Sequence, residues 1–92
     1  MATLPESEIQ TRLASSDWQR EGPSIVREWK LADFAEAIAF VNRVAQAAEA
    51  ADHHPDILIH SWNRVRIELS THSEGGLTQA DFEMAARIGD LV

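Results

Sequence analysis

The chain has 92 residues and no cysteine, which allows one domain, residues 1–92, and excludes a disulfide framework, a thiolate nucleophile and a thiolate metal site. With 15 acidic against 8 scattered basic residues the net charge is −7, so the chain repels a phosphate backbone and no direct nucleic-acid partner is expected. Met1 to Gln10 lacks a basic start and an apolar stretch, and no run of about 20 apolar residues occurs, so no signal peptide and no membrane partner are expected and a cytoplasmic location is the default.

Ile9 and Leu13 share one face of a short amphipathic helix over Glu6 to Ala14, and Glu21-Gly22-Pro23 breaks the chain. From Ser24 to Leu31 the pattern has period two: Ile25, Trp29 and Leu31 on one face, Glu28 and Lys30 on the other. Arg27 is the one polar residue on the apolar face of this strand. Asp33 followed by Glu36 resembles a capping box, opening a long helix to about Ala51 whose predicted apolar stripe is Phe34, Ile38, Val41, Ala45 and Ala48. His53-His54-Pro55 is read as its stop, because a residue before proline leaves the helical region.

Ile57 to His60 reads as a short strand and Arg64 to Thr71 as a longer one, joined by a hairpin. A loop at Glu74-Gly75-Gly76 follows, then a last helix capped by Thr78 and Asp81 and carrying Phe82, Ala85, Ile88 and Leu91. The order helix, strand, helix, strand, strand, helix predicts an α+β fold. It is a small, mainly antiparallel sheet of three to four strands with helices packed on one face.

Four histidines carry the available proton chemistry: His53, His54, His60 and His72. With the turn over Ser61 to Arg64, residue 60 lies opposite 65. Extending that register sets His53 level with His72 and His54 level with Thr71, while His60 stays beside the turn as an ordinary surface residue. Three imidazoles then meet at one rim of the sheet, next to the hydroxyls of Ser70 and Thr71. Histidine suits proton transfer in both directions near neutrality, its unperturbed pKa being about 6.5. Taken alone, His53-His54-Pro55 serves equally well as a solvated helix stop. No metal is expected: adjacent histidines on a tight turn diverge, and neither HExxH nor His-x-His occurs.

At these residues the chain resembles the pterin-4a-carbinolamine dehydratase family, which includes the dimerisation cofactor of a homeodomain transcription factor. The family pattern is an acidic residue, His-His-Pro, an aromatic, a histidine and an aspartate, here Glu49, His53-His54-Pro55, Trp62, His72 and Asp81. The likeness continues through Asp33-Phe34, Phe40 to Ala45, Trp62 to His72 and Gly75-Gly76-Leu77-Thr78, covering roughly residues 9 to 91. It implies a lyase that dehydrates 4a-hydroxytetrahydropterin to quinonoid dihydropterin plus water, recycling the cofactor of aromatic amino-acid hydroxylases. His53, His54 and His72 are the catalytic trio it implies, and Asp52, His53, His54, Ser70, Thr71, His72 and Ser73 the substrate-binding neighbourhood. It implies no cofactor and no metal, a small-molecule pterin as partner, and a homodimer or homotetramer. The alternative within the family is a non-catalytic interaction or assembly factor on the same scaffold. Asp81 reads as a helix-capping and orienting residue.

Overall fold

A computed structural model describes residues 2–92. Three helices, α1 (Glu6–Ala14), α2 (Phe34–Ala51) and α3 (Gln79–Gly89), accompany four strands, β1 (Gln19–Glu21), β2 (Ser24–Lys30), β3 (Asp56–His60) and β4 (Arg64–Leu69). The sheet is antiparallel throughout, in the order β1-β2-β4-β3. Because β4 lies between β2 and β3, the α2 crossover links two strands that run parallel without touching. This is the expected small α+β fold.

Strand β1 is absent from the sequence reading. Gln19, Arg20 and Glu21 are all polar and all exposed, so no hydrophobic alternation marks them. What forms the strand is the turn: Gly22 takes φ 60, a left-handed conformation that costs glycine nothing, and sets Glu21 opposite Ser24.

The expected faces of β2 hold. Ile25 and Trp29 are buried, and they meet Val65, Ile67 and Leu69 from β4 in one core cluster with the helices. Trp29 packs edge-on against Phe40 of α2, ring centroids 5.1 Å apart, and against Trp18 at 5.7 Å. The opposite face of the sheet is charged, with Arg66 held by both carboxylate oxygens of Glu21 at 2.9 Å.

The stripe predicted for α2 is corrected. The residues that enter the core are Ala37, Phe40, Val44, Ala47 and Ala48, whereas Phe34 and Ile38 are exposed and Ala45 faces solvent. Both stripes obey the helical period, since apolar residues cover more than half of this helix. The stripe containing Phe40 wins because its ring completes the aromatic stack on Trp29. The helix start is as read: the Asp33 carboxylate accepts the Glu36 N–H at 2.8 Å.

The hairpin register is also corrected. His60 pairs with Arg64, not with residue 65, so the connection is three residues, Ser61 to Asn63. Asn63 sits just past the last pair of the β2–β4 ladder, Lys30 with Arg64. Its carbonyl accepts the Leu31 N–H at 2.8 Å, and its side-chain amide donates to the Leu31 carbonyl at 2.9 Å. That anchor confines the reversal to Ser61 and Trp62, both left-handed at φ 50 and 58.

Strand β4 ends at Leu69, two residues before the expected Thr71. Ser70 leaves the ladder, and its hydroxyl donates to the Pro23 carbonyl at 2.9 Å. His72–Glu74 then form a single 3-10 turn where a plain loop was expected.

Candidate active site

The end of α2 aims the first histidine. Asp52 takes the left-handed conformation at φ 51; its N–H reaches the Glu49 carbonyl, and the His53 N–H reaches the Ala48 carbonyl at 3.1 Å. This paired bonding closes the helix and turns the chain back over its last turn. The helix therefore stops at Asp52 rather than at Pro55. Asp52 has a structural task, for which aspartate's tolerance of left-handed backbone suits it.

The start of α3 supplies the anchor. Thr78 Oγ1 accepts the Ala80 N–H at 3.2 Å, and the Asp81 carboxylate reaches back to accept the Thr78 N–H at 2.9 Å, a reciprocal cap. Asp81 is fully buried and accepts twice more: from the Thr71 hydroxyl at 2.8 Å and from His53 Nε2 at 2.6 Å. A carboxylate oxygen accepts, so His53 carries a proton on Nε2; Nδ1 has no hydrogen-bond partner among the described residues, and in the neutral ring it is an acceptor. Asp81 both caps and orients, as read from its spacing.

One carboxylate thus ties the end of α2 to the end of β4. This linkage, and not the predicted register, ties His53 to Thr71, the residue before His72. The observed ladder sets no cross-strand pair at 53 and 72 or at 54 and 71, because β3 begins at Asp56.

His54 lies beyond His53 on the same extended stretch, exposed. Its Nε2 bonds Glu49 Oε2 at 2.6 Å, and that carboxylate raises the His54 pKa above the ordinary imidazole value. His72 opens the 3-10 turn next to Thr71, exposed and free of any side-chain hydrogen bond among the described residues. Ser73 follows it, exposed. The hydroxyls of Ser70 and Thr71 are both engaged, with Pro23 and Asp81 respectively. A groove of about 470 Å³ between α2 and α3 borders His53, walled by Ala47, Ala50, Ala51 and Met84; neither His54 nor His72 lines it.

Two named residues stand apart. His60 sits on the outer face at the hairpin end, bonded to Glu28 at 2.6 Å, which lowers the Glu28 pKa. Trp62 occupies the hairpin tip, 61% exposed, at the opposite end of β4 from His72. Among the described residues, no group of three or more His, Cys, Asp or Glu side chains could hold a metal ion. No helix among them is long and apolar enough to cross a membrane.

This α+β scaffold has counterparts among known proteins. A chain from Chloroflexus aurantiacus, provisionally named a pterin-4-alpha-carbinolamine dehydratase, is 53% identical over 100% of this chain and 99% of its own length. The crystal structure of a transcriptional coactivator/pterin dehydratase from Brucella melitensis superposes with a TM-score of 0.90 at 37% identity, covering 97% of each chain. A pterin dehydratase-like protein identified as a RuBisCO assembly factor in the alpha-carboxysome superposes at 0.66 with 25% identity, over 80% of this chain and 84% of that one. Residues 2–91 match the family described as pterin 4 alpha carbinolamine dehydratase. The chain belongs to that family.

Proposed function

We propose that the protein dehydrates a 4a-hydroxytetrahydropterin to the quinonoid dihydropterin. In this reaction the C4a–O bond breaks, and the oxygen leaves as water after taking a proton from an acid. The N5–H gives its proton to a base, and the nitrogen electron pair forms the N5=C4a bond. Atoms and charge balance without any redox step, and two imidazoles in opposite protonation states suffice.

The observation that carries the reading is the His53–Asp81 bond of 2.6 Å on a fully buried carboxylate. A ring that donates Nε2–H to that carboxylate keeps Nδ1 able to accept in its neutral form, which supports His53 in the role of base. His54, whose affinity for a proton is raised by Glu49, takes the role of acid. His72, with no side-chain hydrogen bond among the described residues, is left to the substrate. Asp52 and Ser73 flank the histidines at the rim.

Turnover of enzymatically generated 4a-hydroxytetrahydropterin tests this. His53→Ala, His54→Ala and His72→Ala should each lower the rate by about 10²-fold or more where proton transfer limits it. No acceleration by the wild-type protein would sink the proposal.

The likeness to the RuBisCO assembly factor favours a second reading, a non-catalytic assembly role on the same scaffold. The assembly reading does not require the three histidines to act together, so their substitution would leave it intact. We further propose a homodimer or homotetramer, because α2 carries Phe34 and Ile38 outside the core. Sedimentation of wild type against Ile38→Glu tests it. A chain without cysteine needs no oxidising compartment, which suits the cytoplasm.

A further inference from the structure

The apolar face of β2 is interrupted at Arg27, and the proposed reaction makes no use of that residue. Its side chain is 26% exposed, packed with the guanidinium over the Trp29 ring at 4.7 Å. Five N–H donors converge there, yet among the described residues none has a hydrogen-bond acceptor. The carboxylate paired with it, Asp17, stands 3.6 Å away and is itself 81% exposed. None of its nitrogens is sealed from solvent, so the donors stay open to a ligand entering beside them, and their planar fork suits a two-point acceptor.

Arg27 faces a groove of about 600 Å³ between the end of α1 with the segment that follows it and α3 from Phe82 onward. That volume lies in the range of small-molecule sites. Its apolar walls are Trp18, Phe82, Ala85 and Ala86, and Arg12 stands at one side with its guanidinium over the Phe82 ring at 5.5 Å. Gly89 lines the floor, where a Cβ would sit 3.6 Å from Arg27 Nη1, in ordinary contact.

We propose that this groove is a second ligand site, for a small organic carboxylate with a flat apolar body. The forked donors of Arg27 match a carboxylate in two-point fashion, and aromatic and alanine walls match a flat ring. Asp17 and Asp90 also line the groove, and the chain carries −7 overall. Both disfavour a phosphate dianion relative to a single negative charge. The site is distinct from the histidine rim: Asp81 opens α3, whereas the groove uses the helix from Phe82 to Asp90.

Phenylacetate is a suitable probe, with phenylacetamide and phenyl phosphate as comparisons, each titrated into the full-length protein under amide and indole NMR detection. Saturable shifts at the Trp18 and Trp29 indoles and at the Gly89 amide are expected with phenylacetate. Binding of the neutral amide and of the phosphate should be weaker by about tenfold or more. Arg27→Met, which keeps the stem and removes the donors, should abolish the shifts while leaving dehydration turnover unchanged. Should that variant fail to fold, Arg27→Lys retains the charge without the fork and should bind about tenfold more weakly. Ala86→Phe, at an exposed helix position, should block the groove without touching Arg27. Equal binding of acid and amide, undiminished binding in the Arg27 variants, or no saturable shift at millimolar phenylacetate would each overturn the proposal.

Discussion

Replacing Asp81 separates its structural task from its chemical one. The carboxylate is fully buried and receives Thr78 N–H, the Thr71 hydroxyl and His53 Nε2 at 2.9, 2.8 and 2.6 Å. Asp81→Ala removes all three acceptances and the cap of α3. An orphaned buried donor costs about 1–3 kcal/mol and a lost cap about 0.5–2 kcal/mol. The sum is on the order of 3–5 kcal/mol, because the Thr71 hydroxyl can turn to Thr78 Oγ1, 2.8 Å away. At about 4–8 °C per kcal/mol for a domain this size, the melting temperature should fall by roughly 12–40 °C. Asp81→Asn behaves differently. Its oxygen can still serve Thr78 and Thr71, which leaves the amide NH2 facing His53 Nε2. Two donors cannot bond, so the imidazole must move its proton to Nδ1, and the proposed base disappears. Stability should fall by only about 1–2 kcal/mol, while turnover drops about 10²- to 10⁴-fold, as when an orienting carboxylate of a catalytic histidine is lost. Thermal melts and dehydration kinetics on the two variants decide the matter. Near-normal turnover in Asp81→Asn would refute the orienting role, and equal stability of the two variants would refute the bond accounting.

The remaining outcomes follow from the same geometry. His60→Ala should leave turnover within about twofold of wild type, because His60 lies at the hairpin end on the outer face; its loss should return the lowered Glu28 pKa toward 4.5, seen by carboxyl NMR titration. Glu49→Gln should lower the raised His54 pKa in an imidazole titration. The contribution of that pair is full below about pH 6.5 and fades as pH rises through the raised folded value, so the alkaline limb of the rate profile should move to lower pH in the variant. Exhaustive chelation should leave turnover intact; loss restored by one metal ion would move the site to another class. One residue inserted between Ser61 and Trp62 should leave turnover largely unchanged. The Asn63–Leu31 bonds hold β4 against β2 independently of the loop, so abolished turnover would show that the hairpin governs the site.

How legible the molecule was depended on whether a residue's signal was local. The cap of α2 at Asp33, the cap of α3 at Thr78 and Asp81, and the alternation of β2 and β4 each rest on near neighbours, and all were read from spacing. Strand β1 was missed because Gln19, Arg20 and Glu21 owe their conformation to a glycine turn and a partner strand. The α2 stripe was misassigned because two faces fit the helical period, and only Trp29, far along the chain, selects Phe40. The hairpin slipped by one residue for a related reason: Asn63 is captured by Leu31, a contact 32 positions away. The sequence argument for the three histidines as neighbours rests on a register the sheet does not have; the structure ties only His53 to Thr71, the residue before His72, through Asp81.

What holds His53 against the Thr71 segment is a carboxylate whose first duty is to the fold. Asp81 completes the cap of α3, so a chain of this family loses stability if it loses that residue, whatever its chemistry. The same oxygen atoms then orient His53 without further ordering cost, since their burial and position are already fixed by Thr78 and Thr71. His53, His54 and His72 carry no such structural debt: two are exposed, and the third hangs on an acceptor that exists without it. A relative that keeps the scaffold for assembly alone is therefore free to shed its histidines while retaining the aspartate. The reverse loss, histidines kept and aspartate gone, is one the fold resists. His53→Ala should accordingly stay folded with the cap of α3 intact, and turnover, not thermal stability, is where its absence should register.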